Sequence, residues 1–177
     1  MESLKVGPFL RECHIFVDDS NLLYSSHKNE LNSTIIIIEN ELVKVSQWVD
    51  ENSLSLNNDK TKLLVIAPPN ISRGIGTVDI KINNILIEQC NHLKCLGLTI
   101  DNTLNWNLHI NNIAKACNSR ISSLYKIQNY VPLKYKMMLA HALVISLFNY
   151  MSTVWSCTTK NNLDIIEKVI RILARFV

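Results

Sequence analysis

Glycine and proline are scarce, four of each in 177 residues. So few turn formers leave little room for the many tight reversals of an all-β sandwich and favour long regular elements. Charged residues make up 19% of the chain against 47% apolar, which excludes a disordered chain. Long apolar runs are also missing. The longest, Met137 to Phe148, contains His141 and spans 12 residues, short of the roughly 20 a membrane helix needs. Residues 1–12 hold no continuous apolar segment of the kind a signal peptide carries. The five cysteines, Cys13, Cys90, Cys95, Cys117 and Cys157, include no C-x-x-C pair, so zinc-finger chemistry is excluded. Scattered cysteines in odd number fit free thiols in a reducing compartment. The expectation is an intracellular chain, in nucleus or cytoplasm, with no membrane partner.

Other chemistries are missing as well. None of His14, His27, His92, His109 and His141 pairs at i, i+4 around a carboxylate. Gly74-Ile75-Gly76 lacks the strand–turn–helix context of a nucleotide loop, and no Ser/His/Asp or Cys/His nucleophile arrangement can be argued. His141, on a largely apolar helix, is expected to be a satisfied buried histidine. Tyr125, Tyr130, Tyr135, Tyr150 and Trp155 are expected to serve as core rather than as base-stacking platforms.

What is present begins with His14-Ile15-Phe16-Val17-Asp18-Asp19-Ser20-Asn21-Leu22-Leu23-Tyr24. Two adjacent carboxylates sit between short apolar runs that read as the strands of one hairpin. Adjacent like charges at a tight turn are costly unless solvent or a cation lies between them. A solvated turn satisfies this, since Asp is common in turns. So does Mg²⁺ or Mn²⁺, which takes oxygen ligands. The residues alone leave both readings open.

From Lys28 to about Asn52, Leu31, Ile35, Ile38, Leu42, Val45 and Val49 are spaced 4, 3, 4, 3 and 4 residues apart, the pattern of an amphipathic helix with Trp48 packed beneath its stripe. Lys62 to Ala67 reads as a strand that Pro68-Pro69 ends, followed by a loop over 68–77. Asp79 to Glu88 reads as a hairpin turning at Asn83-Asn84. Leu93 to Ile100 reads as a strand with Gly97 marking a bulge or a close backbone approach. Beyond Asp101 the period becomes helical. Leu108, Ile110, Ile113, Cys117, Ile121 and Leu124 form one stripe. Met138, Ala142 and Ile145 mark a helix opened by Pro132, and Leu163, Ile166, Ile170 and Leu173 mark a third, over 161–177, with no C-cap. The fold class is α+β, with a mixed part over 1–101 and a helical part over 102–177.

The order of these pieces is more specific than any one of them. Phe16-Val17-Asp18-Asp19 is followed by a long helix ending near Trp48, then Leu54-Ser55-Leu56-Asn57 and Asp59-Lys60-Thr61-Lys62. Leu93 to Asp101 follows, then Leu104-Asn105-Trp106, His109-Ile110, Leu124-Tyr125-Lys126, and Asn149-Tyr150 leading to Val154-Trp155. This series resembles the reverse transcriptase of non-LTR (LINE-type) retrotransposons, from residue 13 to the last residue. The resemblance implies an RNA-directed DNA polymerase working by two-metal nucleotidyl transfer. Residues 1–101 would be the C-terminal part of its palm, antiparallel strands with a packed long helix, and 102–177 its helical thumb. Asp18 and Asp19 match the family's Asp-Asp motif, the first a ligand of catalytic Mg²⁺ or Mn²⁺. Lys60 matches the lysine near the incoming nucleotide and its leaving pyrophosphate. Leu96 and Gly97 match the primer-grip hairpin, and Lys126 and Lys134 lie on thumb helices that would follow the duplex of RNA template and DNA primer. Deoxynucleotides would be the substrates.

The family's palm has a further metal-binding Asp, and fingers, upstream of the Asp-Asp hairpin. Here only Glu2 and Glu12 precede Asp18 as carboxylates. The expectation is an N-terminally truncated polymerase that is inactive alone, with the missing N-terminal half as a partner. The alternative is a domesticated module that binds nucleic acid or protein without catalysis.

Overall fold

The computed structural model describes residues 10–16 and 19–177, with 10–16 and 19 described as backbone. The chain forms two compact units, one extending to Asn91 and the other running from His92 to Val177. Its architecture is mixed α and β, as the change of hydrophobic period implies.

In the first unit, β1 (Leu10–Phe16) and β2 (Asp19–Tyr24) pair antiparallel, with Phe16 opposite Asp19 and an irregularity between Leu10 and Glu12. A single 3-10 turn at Lys28–Glu30 leads into α1 (Leu31–Glu51). Leu42 is buried, and Leu31, Ile35 and Ile38 of the same stripe pack with it. Trp48 departs from expectation. It is 42% exposed, because it lies one position off the buried line. Next come β3 (Lys62–Leu64) and α2 (Pro69–Ser72), a short helix where a plain loop was expected. Proline's fixed φ suits the first helical position, so Pro69 starts α2 as readily as Pro68 ends the strand.

β4 (Lys81–Ile82) and β5 (Ile85–Leu86) form the expected hairpin. Asn83 and Asn84 have φ of 50° and 66°, the two positive values of a type I′ turn, which asparagine tolerates. The hairpin is tied to α1 by Asn83 Nδ2, which donates to Ser46 Oγ, and by Lys81 N, which donates to Glu39 Oε1. Val78, Ile80 and Ile82 complete the core over Leu42. β6 (Glu88–Cys90) pairs with β3 in parallel, so the strands are not uniformly antiparallel.

The second unit opens with β7 (His92–Cys95) and β8 (Leu98–Asp101), an antiparallel hairpin rather than one bulged strand. Leu98 packs into the helical core with Trp106 and Ile110, which is why the boundary falls after Asn91 and not after Asp101. α3 (Asn107–Ile127) buries Ile110, Ala114, Cys117, Ile121 and Leu124, as its stripe implies, while Leu108 stays 37% exposed. α4 (Leu133–Ala140) follows Pro132, continues as a π-helical segment over His141–Ile145, and ends in α5 (Ser146–Asn149). Its buried residues are Ala140, Val144 and Phe148, not Met138 and Ala142. The π segment accounts for the steps of four, because i→i+5 bonding widens the turn and rotates the buried line. His141 consequently faces solvent.

α6 (Ser152–Trp155) is short, and α7 (Lys160–Ala174) is capped by Thr159 Oγ1, which accepts from Asn162 N. Its inward face carries Asn162, Ile165, Ile166, Val169 and Leu173, while Leu163 and Ile170 are 49% and 44% exposed. The helix ends at Ala174, and buried Phe176 lies edge-on to Tyr125. No helix among the described residues is long and apolar enough to cross a membrane.

Candidate functional site

The residues singled out from the sequence fall on both units. Asp19 opens β2 and pairs with Phe16, the last residue of β1. Asp18 itself lies outside the described residues. Among the described residues no three His, Cys, Asp or Glu side chains gather as a metal group requires. The oxygen chemistry of an Asp pair suits a divalent ion. Lys60 is exposed on a turn built on Asn57, whose carbonyl and side-chain oxygen both accept from Lys60 N, at 3.2 and 3.1 Å. Beside it, Ser55 to Asp59 line an open hollow of about 490 Å³.

Leu96 and Gly97 form the two-residue turn between β7 and β8, with φ of 46° and 84°. Both are positive, so glycine is needed here for a turn and not for a bulge. A close approach is present as well. A Cβ on Gly97 would lie 3.2 Å from Tyr150 Cε1, and Tyr150 Oη donates to the Leu96 carbonyl at 2.7 Å. Beyond its place in an ordered series, nothing in the sequence pointed to this tyrosine. Lys126 is exposed in the last turn of α3, and Lys134 is exposed in the first turn of α4.

Two buried polar groups that sequence reasoning passed over hold this unit together. Asp101 ends β8 at 9% exposure. Its Oδ1 accepts from Thr103 N at 3.0 Å, Thr103 Oγ1 at 2.7 Å and Asn105 N at 3.2 Å, and its Oδ2 accepts from Trp106 N at 2.9 Å. Burial pushes the carboxyl pKa up. The bonds from Thr103, Asn105 and Trp106 outweigh it and hold the carboxyl below its usual value. These bonds fix a turn in which Leu104 and Trp106 take φ of 54° and 65°, a strained choice for bulky residues. The legible signal was an Asp followed by Thr103 and Asn105 just before a helical period, an Asx-type turn. Asn162 Nδ2 braces the same turn from α7, lying 3.0 Å from the Asn105 carbonyl and 2.8 Å from Asn107 Oδ1.

His109, the second group, lies between Trp106 and Trp155, edge-on to both at 6.1 and 6.0 Å between centroids. Its Nδ1 accepts from Thr99 N, which places the ring hydrogen on Nε2, a buried atom without a hydrogen-bond partner among the described residues. Burial holds its pKa below the usual histidine value. Of the aromatics expected in the core, Trp155 is buried and Tyr125 half-buried. Tyr130, Tyr135 and Tyr150 are 86%, 53% and 50% exposed.

Charge is divided between the units. Residues 1–91 carry eight Lys and Arg against twelve Asp and Glu, a net −4, and residues 92–177 carry ten against three, a net +7. From Asn102 to Leu163 there is no acidic residue, while Lys115, Arg120, Lys126, Lys134, Lys136 and Lys160 fall within the run. The modest overall charge of +3 hides this division.

The structure thus defines an α+β chain with an acidic unit that is mixed α and β and a basic unit that is largely helical. No family model matches the chain, and no solved structure matches it. It is similar to the probable RNA-directed DNA polymerase from transposon BS of Drosophila melanogaster, with 24% identity over 160 residues. That match covers 86% of this chain and 17% of the fly protein, so the chain spans about a sixth of its relative's length. The likeness supports a relation to transposon reverse transcriptases.

Proposed function

We propose that this chain is part of the reverse transcriptase of a non-LTR retrotransposon, comprising the C-terminal part of the palm and the thumb. The observation that carries the reading is the likeness to a transposon polymerase across 86% of the chain. The hairpin register and the division of charge are in keeping with it. An Asp pair on a short antiparallel hairpin can offer oxygens to Mg²⁺ from one direction. A unit with net charge +7 can neutralise phosphates, an attraction that is independent of base sequence and weakens with salt. In this reading Asp18 and Asp19 hold metal, Lys60 lies toward the nucleotide's phosphates, and the Leu96–Gly97 turn, locked by Tyr150, supports the primer end. Lys126 and Lys134 contact the template–primer duplex. Bound metal would supply charge stabilisation of the displaced and attacking oxygens.

Two-metal transfer needs more carboxylate ligands than one adjacent pair, so we expect the 177 residues to bind metal weakly and not to polymerise alone. Mn²⁺ binding followed by electron paramagnetic resonance tests the pair. Weak binding that the double variant Asp18→Ala, Asp19→Ala abolishes is the expected result, and identical binding by both chains would overturn the assignment. Nucleotide incorporation on a primed RNA template with Mg²⁺ or Mn²⁺ tests the second point. Incorporation by the 177-residue chain that the double variant loses would show a complete site.

A further inference from the structure

The most exposed aromatic side chain among the described residues is Tyr130, at 86%. It stands at the elbow where α3 gives way to α4. With Val131, Pro132, Tyr135, Met138 and Leu139 it lines an open hollow of about 570 Å³, within the roughly 300–1,000 Å³ of ligand pockets. Tyr135, Met138 and Ala142 follow one another at helical spacing on one side of α4 and its continuation. At about 100° per residue, Lys134 and Lys136 lie on opposite flanks of that stripe. Lys136 already sits over the ring of Phe176, 5.7 Å from its centroid, which leaves Lys134, with Lys126 at the end of α3, as the exposed cations of the elbow.

A flat apolar hollow beside cations, inside a stretch with no acidic residue from Asn102 to Leu163, suits one kind of occupant. A nucleic-acid strand alternates flat apolar bases with fixed negative charges. Exposed aromatic rings take the bases and lysines take the phosphates, with little regard to sequence. In a duplex the base faces are covered by neighbouring bases, so only an unpaired strand can present them. We infer that the Tyr130–Tyr135 elbow is a base-stacking site for single-stranded nucleic acid, with Lys126 and Lys134 on the adjoining phosphates. The site needs neither metal nor the Asp pair; it shares Lys126 and Lys134 with the duplex contact proposed above and differs from it in the exposed rings of Tyr130 and Tyr135.

The test uses the 177-residue chain and two fluorescein-labelled probes, oligothymidine and its duplex with oligoadenine, read by anisotropy over a salt series. The single strand is expected to bind more tightly than the duplex, with affinity falling as salt rises. Tyr130→Ala and Tyr135→Ala should each weaken single-strand binding by about 5- to 150-fold, the span measured for loss of one base–aromatic stack. Tyr130→Phe and Tyr135→Phe should keep it. Lys134→Ala should lower the salt slope by about 0.7. A 2-aminopurine placed in the strand should be quenched by the wild-type and Phe chains and not by the Ala chains.

Circular dichroism checks that each variant is folded. If an Ala variant is not, the Phe and Lys134→Ala results still decide. Equal affinity for strand and duplex overturns the inference, as do Ala variants that bind like wild type, Phe variants that lose binding, or affinity that ignores salt. A hollow filled by a second copy of the chain would show as a dimer that Tyr135→Ala dissociates with no change in oligonucleotide affinity, and that too overturns it. Asp18→Ala, Asp19→Ala should leave strand binding intact, and a failed elbow leaves the Mn²⁺ result unaffected, so the two readings fail separately.

Discussion

Replacing Asp101 should cost this protein more than replacing any single lysine, although nothing ties Asp101 to catalysis. Its carboxylate accepts four hydrogen bonds, three of them from backbone N–H groups of the turn that starts α3. Truncation to Ala leaves those donors without their acceptor, and each unsatisfied buried donor costs about 1–3 kcal/mol. Trp106 N is buried and bears that cost in full, while Thr103 N and Asn105 N, in partly exposed surroundings, can recover part of it from water. We expect Asp101→Ala to lose about 3 kcal/mol, which for a unit of this size is a fall of roughly 12–24 °C in Tm.

Asp101→Asn separates charge from shape. It keeps an acceptor at Oδ1 but turns an NH₂ toward Trp106 N, donor against donor, and should lose about 2 kcal/mol, the upper end for a lost cap. The pH dependence follows from the direction of the shift. The folded carboxyl lies below the ordinary aspartate value of 3.8, so its contribution is complete above that value and is lost as pH falls through the folded pKa. The gap between wild type and Asp101→Asn should therefore hold from neutral pH to about pH 4 and narrow below it. Urea melts at stepped pH, followed by far-UV circular dichroism and tryptophan emission, measure both effects. An Ala variant within 0.5 kcal/mol of wild type, or a gap that stays constant down to pH 2, would refute the argument.

The Leu96–Gly97 turn should respond to substitution in opposite directions at its two positions. Gly97→Ala puts a Cβ at φ +84° and 3.2 Å from the Tyr150 ring, and should cost about 1–2 kcal/mol. Leu96→Asn offers the turn the Asn-Gly pair it favours and should gain a few tenths to about 1 kcal/mol. Thermal melts that rank the two variants the other way would contradict the type I′ reading. Cys117 is fully buried, and burial pushes its pKa up to about 11 against a smaller opposing pull from Arg120. A thiol reagent at mild pH should therefore modify exposed Cys157 in the native protein and reach Cys117 only on unfolding, as peptide mass mapping would show.

Helices α1, α3 and α7 were legible because each carries an uninterrupted apolar period, which needs only the chain's own geometry. The Asn83–Asn84 hairpin was legible for a similar local reason, since asparagine tolerates positive φ. Asp18, Asp19, Lys60, Lys126 and Lys134 were singled out from sequence order alone, which carries no distance between them. What failed was mostly a matter of which residue on a helix faces inward. On α4 the apolar residues run almost all the way round, so periodicity could not choose a face, and the π segment at His141–Ile145 moved the buried line to Ala140, Val144 and Phe148. On α7 Ile166 and Leu173 face inward as read, but Leu163 and Ile170 do not, because Asn162 turns inward to the Asn105 turn and takes a place an apolar residue would otherwise hold.

The sequence by itself determined the elements and the charges. The scarcity of glycine and proline, the periods and the 62-residue run without an acidic side chain are properties of the chain before it folds. Tertiary structure decided which groups are exposed and which are held. Tyr130 and Tyr135 read as core until packing left them in solvent, and Asp101 read only as the boundary between the mixed and helical parts until four donors closed on it. The physical reason is that period and propensity act between residues a few positions apart. Burial, and the hydrogen bonds that make burial tolerable, are set by segments that meet only after folding, as when Tyr150 closes on Leu96 and Asn162 on Asn105.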